Sequence, residues 1–217
     1  MNRRISSSPR AGFTMVEAMI TLAILGMVGS MAILTITDGN SSFGTTNSSA
    51  DLEARVRRGL DRVAAEILTA GDGQLNPDPT GNFGSSDMLF RQAVGLTGTS
   101  IDWSNQHRLA FEYDTNEIDD GVDNDGDGLV DEGNLVLTRN DGLANEMRVT
   151  LVRGVAEFFE GELSNGLDDN GNGVIDEAGF NIHRAGDVLN IRLTVQNSLG
   201  QNVVLTRTLQ TSTRLRN

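Results

Sequence analysis

The N-terminal part of the chain contains a continuous apolar segment of membrane length. Residues 13–36 are mostly apolar and include one charged residue, Glu17. At 1.5 Å per residue, a helix over this segment reaches about 36 Å, enough to cross a bilayer core of about 30 Å. Three arginines and no acidic residue precede it, so the positive-inside rule leaves the N-terminus in the cytoplasm. The pattern predicts a single transmembrane helix, with the remaining chain on the far side of the membrane.

A polar stretch and a second helical pattern follow. Residues 37–47 are rich in Gly, Ser, Thr and Asn, which indicates a loop or a loosened helix. Apolar residues then recur at intervals of three and four, at Leu52, Val56, Leu60, Val63 and Ile67. This spacing predicts an amphipathic helix that ends near Gly71. Residues 37–70 are therefore expected to form a loop and the amphipathic half of a helix.

The remaining residues, 71–217, are expected to form one β-rich domain. Residues 71–87 contain two prolines and predict a loop. Apolar and polar residues alternate over 109–113, 147–151 and 189–195, and a turn at 198–201 leads into a hairpin partner at 202–210. Such half-buried antiparallel strands are suited to covering a helix, which predicts an α+β fold.

The residues around Glu17 resemble the class III signal peptides of type IV pilins and of type II secretion pseudopilins. The string Gly12-Phe13-Thr14-Met15-Val16-Glu17 carries the resemblance. It implies that prepilin peptidase removes residues 1–12, cuts between Gly12 and Phe13, and methylates the new amine. It also implies that Glu17 neutralises the amine of a neighbouring subunit, which agrees with the lower cost of burying opposite charges together.

The resemblance also implies an architecture and a location. The implied fold is a long N-terminal hydrophobic helix packed against an antiparallel sheet, anchored in the inner membrane with a periplasmic C-terminal domain. Assembly with other pilin or pseudopilin subunits would use the N-terminal helix. The element order and the closing residues 213–217 resemble J-type minor pseudopilins and W-type minor pilins. An uncleaved anchor and a secretory signal cut after Ala32 remain as alternatives.

An internal repeat supplies candidate metal ligands at residues 123–132 and 168–177. Oxygen ligands at positions one, three and five and a glycine at six reproduce the first part of an EF-hand loop. The first loop offers Asp123, Asp125, Asp127, the carbonyl of Leu129, Asp131 and Glu132. The second offers Asp168, Asn170, Asn172, the carbonyl of Val174, Asp176 and Glu177. The pattern predicts one or two Ca²⁺ ions, with weaker binding in the second loop.

The loops depart from an EF-hand at position twelve, where Asn134 and Gly179 replace the bidentate glutamate. Their acidic pairs at positions nine and ten instead resemble the short calcium loops of thrombospondin type 3 repeats. Ligands without His or Cys disfavour zinc and copper. The structural alternative is a pair of acidic hairpin turns, because Asn-Gly dipeptides favour turns. The functional alternative is a membrane-anchored, calcium-dependent binding or adhesion module.

Charge and composition exclude several functions. The chain has a formal net charge of −13, which disfavours direct contact with nucleic acid. It has no cysteine and two histidines, and neither histidine belongs to a recognisable nucleophilic motif. We therefore expect a structural protein and not an enzyme.

Overall fold

The computed structural model describes residues 12, 14–80, 84–200 and 203–215. The chain divides into two compact units, Met1–Asn47 and Ser48–Asn217. The described residues form one helix, α1 (Met15–Ile67), and nine strands. The strands are β1 (Ala70–Asn76), β2 (Asp87–Thr97), β3 (Ser100–Trp103), β4 (His107–Tyr113), β5 (Gly133–Arg139), β6 (Met147–Val155), β7 (Phe180–Ala185), β8 (Val188–Ser198) and β9 (Val204–Arg214).

In the first unit, the apolar side chains of α1 are exposed. Its most apolar 18-residue window has a mean hydropathy of 2.2, and none of that window is buried. This helix is long and apolar enough to cross a membrane. Of the two alternatives for residues 37–47, the structure has a helix. There the hydroxyls of Thr37 and Thr46 donate to the carbonyls of Ile33 and Ser42, which satisfies polar side chains without breaking the helix.

In the second unit, the last part of α1 packs against the sheet. The five apolar residues that the spacing predicted are each at most 4% exposed: Leu52, Val56, Leu60, Val63 and Ile67. Gly59 allows a close approach, since a Cβ at this position would lie 2.2 Å from Cγ2 of Val152 on β6. The prediction of an amphipathic helix with one buried face is confirmed.

The strands form one antiparallel sheet in the order β1-β2-β4-β5-β6-β8-β7, in which β3 also pairs with β2 and β9 with β8. Strands β6 and β8 meet through a single pair, Val155 and Val195. A bridge between Ser85 and Ile182 links the segment before β2 to β7, so the sheet curls. A long N-terminal helix followed by a curled antiparallel sheet is the α+β, pilin-like arrangement that was expected.

The element boundaries differ from the sequence prediction at two places. The helix ends at Ile67, and residues 71–87, expected as a loop, contain most of β1 and the start of β2. The glycine-rich sequence of β1 hides its alternation, and its pairing with β2 is irregular between Ala70 and Leu75. Periodicity did predict β4, β6, β8 and the β8–β9 hairpin. It is clearest in β8, where the alternating apolar residues Leu189, Ile191, Leu193 and Val195 are all buried.

Candidate functional site

Two acidic segments connect strands of the sheet and have the same internal geometry. The first loop, residues 117–132, lies between β4 and β5, and the second loop, residues 162–177, lies between β6 and β7. Aligned residue by residue, the two segments are identical at seven of sixteen positions. The repeat therefore begins six residues before the ligand pattern that the sequence analysis used.

Each loop is held by its first aspartate. The carboxylate of Asp123 accepts hydrogen bonds from the amides of Gly126 and Gly128 at 2.6 and 2.9 Å. In the second loop, Asp168 accepts from the amides of Gly171 and Gly173 at 2.7 and 2.8 Å. The amide of Gly173 is the main cause that lowers the pKa of Asp168 below its ordinary value. All four glycines have φ between 75° and 91°, which L side chains rarely adopt.

Five carboxylates converge in the first loop. Oxygens of Asp123, Asp125 and Asp127 lie within 4.8 Å of one another, and so do oxygens of Glu117, Asp125 and Glu132. The first group matches positions one, three and five of the predicted calcium loop. Asp125 belongs to both groups, so the described structure joins them into one cluster.

The deepest member of this cluster has no counter-charge within the described residues. Glu132 is 1% exposed, and neither of its carboxylate oxygens has a partner in another residue. Glu117 is 5% exposed, and its Oε2 atom also has no partner. Burial, together with repulsion from Asp127, Glu117 and Asp125, raises the pKa of Glu132 to about 7. A buried carboxylate without a partner is costly, and a cation bound there would remove that cost.

The donor set fits a hard divalent cation. All five side chains offer carboxylate oxygens, the ligands that Ca²⁺ and Mg²⁺ prefer. Leu129, whose carbonyl was predicted as a ligand, has its side chain buried at 5% exposure, and its amide donates to Asp127 at 2.9 Å. This side chain anchors the loop to the protein interior, and its equivalent Val174 is 1% exposed. The carbonyl ligands stay predictions.

Glu117 was not among the predicted ligands, although the repeat contains a signal for it. Glu117 precedes Asp123 by six residues, as Glu162 precedes Asp168. Oε1 of Glu117 accepts from the amides of Asn124 and Asp125, both at 2.9 Å. A wider alignment of the two loops would have identified this glutamate.

Asp131 and Asp176 each bond to the turn that precedes the ligand pattern of their loop. Oxygens of Asp131 accept from the amides of Asp120 and Gly121 at 3.2 and 2.7 Å, and Asp131 groups with Asp119 and Glu157 instead. In the second loop, Asp176 accepts from Asn165 and Gly166 in the same way, at 3.0 and 2.9 Å. Both aspartates thus hold the preceding turn, and their roles as ligands stay predictions.

The second loop has a different charge arrangement. Asn170 and Asn172 occupy the positions of Asp125 and Asp127. Glu177 is 0% exposed, and its carboxylate is bonded to the Arg192 guanidinium and to the amide group of Asn172. The triads of metal-competent side chains found among the described residues involve the first loop and not the second.

At the N-terminus, Glu17 and Thr14 cap α1 reciprocally. The Thr14 amide donates to Glu17 Oε2 at 3.2 Å, and the Glu17 amide donates to the Thr14 hydroxyl oxygen at 3.2 Å. This arrangement is a capping box at the first turn of the helix. Gly12 is exposed, and Phe13 lies outside the described residues. The roles of Gly12, Phe13 and Glu17 in processing and assembly stay predictions.

Comparison with known proteins bears on this N-terminal segment. A family model described as the prokaryotic N-terminal methylation motif matches residues 7–33. The segment is a prepilin-type methylation motif. Together with the apolar helix it supports a type IV pilin-like protein, and it implies processing by prepilin peptidase and assembly with other pilin subunits. It points to a structural subunit and is consistent with a single-pass inner-membrane anchor. No curated protein and no solved structure matches the chain.

Proposed function

We propose that this chain is a minor pilin or pseudopilin, a structural subunit of a type IV pilus or a type II secretion pseudopilus. The observation that carries the proposal is the methylation motif at the start of a helix whose apolar surface is exposed. An exposed apolar helix needs either lipid or other helices around it. After processing, the inner membrane and then the core of a filament supply those surroundings in turn.

The test of assembly compares two glutamates of α1. In cells that contain prepilin peptidase and the other filament subunits, we expect wild-type protein in the sheared filament fraction. Glu17→Gln should be processed but stay in the inner membrane. Glu53→Gln is the matched control, since Glu53 pairs with Arg57 on an exposed helix surface. Assembly of Glu17→Gln at the wild-type level, or retention of wild-type protein in the membrane, contradicts the proposal.

We also propose that the first loop binds one Ca²⁺ ion that stabilises the sheet domain. Support comes from the five converging carboxylates and from Glu132, buried without a counter-charge in another residue. Extracellular calcium modules bind with a Kd of about 10⁻⁴ to 10⁻³ M, which suits a structural ion outside the cytoplasm. The chain has no cysteine, so the ion would fix a loop that no disulfide can fix.

The calcium proposal is tested by calorimetric titration of the full chain in detergent. Asp125→Asn removes the carboxylate that both groups share, and we expect at least a tenfold loss of affinity. Asp187→Asn removes the same charge from an exposed residue outside the loops and should leave the affinity unchanged. Absence of calcium binding by wild-type protein, or equal losses in the two variants, contradicts the proposal.

A further inference from the structure

The second loop contains a buried charge that the protein already balances. Glu177 is 0% exposed, as deeply buried as its equivalent Glu132. Burial of an ionised carboxylate requires a compensating charge or several hydrogen bonds. In Glu177 both oxygens have partners: one is bonded to Arg192, and the other to Asn172, with Asn170 Nδ2 at 3.4 Å.

Arg192 is well placed to act as a fixed cation. It lies on β8, in register with Asn181 of the neighbouring strand β7. Its side chain is 13% exposed, and its guanidinium carbon lies 5.8 Å from the centre of the Phe159 ring. The aromatic ring restricts the conformations of the guanidinium, so the ion pair with Glu177 costs little additional side-chain entropy.

The two loops also differ in their hydrogen-bond donors, because Asn170 and Asn172 replace Asp125 and Asp127. An aspartate can only accept hydrogen bonds when it is ionised, whereas an asparagine amide also donates. Asn172 therefore donates to Glu177, while its equivalent Asp127 repels Glu132. Glu132 of the first loop therefore has no counter-charge, whereas its equivalent Glu177 has one. The loops are alike at the other buried glutamate, since Oε2 of Glu162 has no partner, as Oε2 of Glu117 has none.

We propose that the Arg192 guanidinium is the built-in counterion of the second loop, which keeps its fold without a metal, so that the chain binds a single divalent ion. This inference rests on the proposed calcium site for its account of the first loop. It replaces the expectation of a weak second calcium site. Within the fold, one copy of the repeat responds to calcium and the other does not.

Hydrogen exchange at equivalent glycine amides tests the inference on the full chain in detergent. The amides of Gly126 and Gly128 report the first loop, and those of Gly171 and Gly173 report the second, because each is bonded to its loop's first aspartate. On addition of a chelator, we expect exchange to rise at least tenfold in the first loop and to stay unchanged in the second. A similar rise in both loops overturns the inference.

Substitutions of Arg192 test the second loop independently of calcium binding. In Arg192→Gln, exchange at Gly171 and Gly173 should rise at least tenfold even with calcium present. Arg184→Gln is the control, since Arg184 is similarly buried, at 17% exposure, but pairs with Asp72; it should leave these amides unchanged. The double variant Arg192→Gln/Glu177→Gln removes both charges and should restore protection, which also covers the case in which the single variant unfolds.

The outcomes for the two proposals are distinguishable. If chelation leaves the first loop unchanged as well, the calcium proposal fails, while the Arg192 variants still decide the second loop. If Arg192→Gln leaves protection unchanged, or the double variant does not restore it, the guanidinium is not the counterion. If wild-type protein binds two calcium ions in equilibrium dialysis, the inference is wrong.

Discussion

Substituting Glu132→Gln should raise stability in the absence of calcium and change it little in the presence of calcium. The substitution keeps the size of the side chain and removes a charge that is 1% exposed and has no partner in another residue. Without a cation, the ionised carboxylate destabilises the folded protein, so the variant should be the more stable form. With calcium, the wild-type protein gains binding energy that the variant largely loses.

The magnitude follows from the shifted pKa. The pKa of Glu132 rises from 4.5 to about 7 in the folded protein. The folded state thus holds the proton more tightly, and stability falls as pH rises from about 4.5 to 7. This rise in pKa corresponds to a loss on the order of 3 kcal/mol at pH 8. For a unit of this size, the loss lowers Tm by about 6–12 °C.

The assay is thermal unfolding of the full chain in detergent at pH 5 and pH 8, with chelator or with about 10 mM Ca²⁺. In chelator at pH 8, Glu132→Gln should melt above wild type, and at pH 5 the two should nearly coincide. At a Kd of about 10⁻⁴ M, calcium should stabilise wild type by about 2.7 kcal/mol and so remove most of the difference between the two proteins. If Glu132→Gln is the less stable form in chelator at pH 8, Glu132 is not an uncompensated charge.

Three further outcomes are expected. Gly59→Ala should destabilise the sheet domain, because the new Cβ would lie 2.2 Å from Val152 Cγ2. Gly44→Ala is the control and should be tolerated, because its Cβ would meet nothing within 4 Å. Thermal unfolding of both variants checks this, and equal Tm values contradict it. Burial, assisted by Arg139, lowers the pKa of His107 below 6.5, so stability falls as pH drops below that value. In His107→Gln with calcium present, the Tm difference from wild type should therefore shrink between pH 8 and pH 5.5, and a constant difference refutes the reasoning. Chelation at pH 8 should lower the Tm of wild type more than that of Asp125→Asn, and equal responses contradict the proposed ligand.

Local patterns predicted the parts of the fold that bury one continuous face. The apolar spacing from Leu52 to Ile67 and the alternation in β8 each describe a surface that meets the core. Strand β1 has no such face in its sequence, since two of its seven residues are glycine and its register with β2 is irregular. Its conformation depends on pairing with β2, which a local sequence pattern cannot reveal.

In the candidate site too, the sequence predicted the residues that lie close together along the chain and not those brought together by strand pairing. Spacing predicted Asp123, Asp125 and Asp127, because loop ligands are close in sequence. Glu117 was also within reach of the sequence, through the longer repeat. Arg192 was not, because it lies fifteen residues from Glu177 and reaches it only through the pairing of β7 with β8. The hydrogen bonds of Asp131 to the preceding turn could not be read from the spacing either, because they join residues ten and eleven apart.

The central claim is that this chain is a processed subunit of a pilin-like filament, and the N-terminal mass of the mature protein tests it most directly. The full chain is expressed with and without prepilin peptidase, and its intact mass is measured. We predict a peptidase-dependent loss of residues 1–12 and a methylated N-terminus at Phe13. An intact leader in the presence of the peptidase, or a cut after Ala32, would contradict the account.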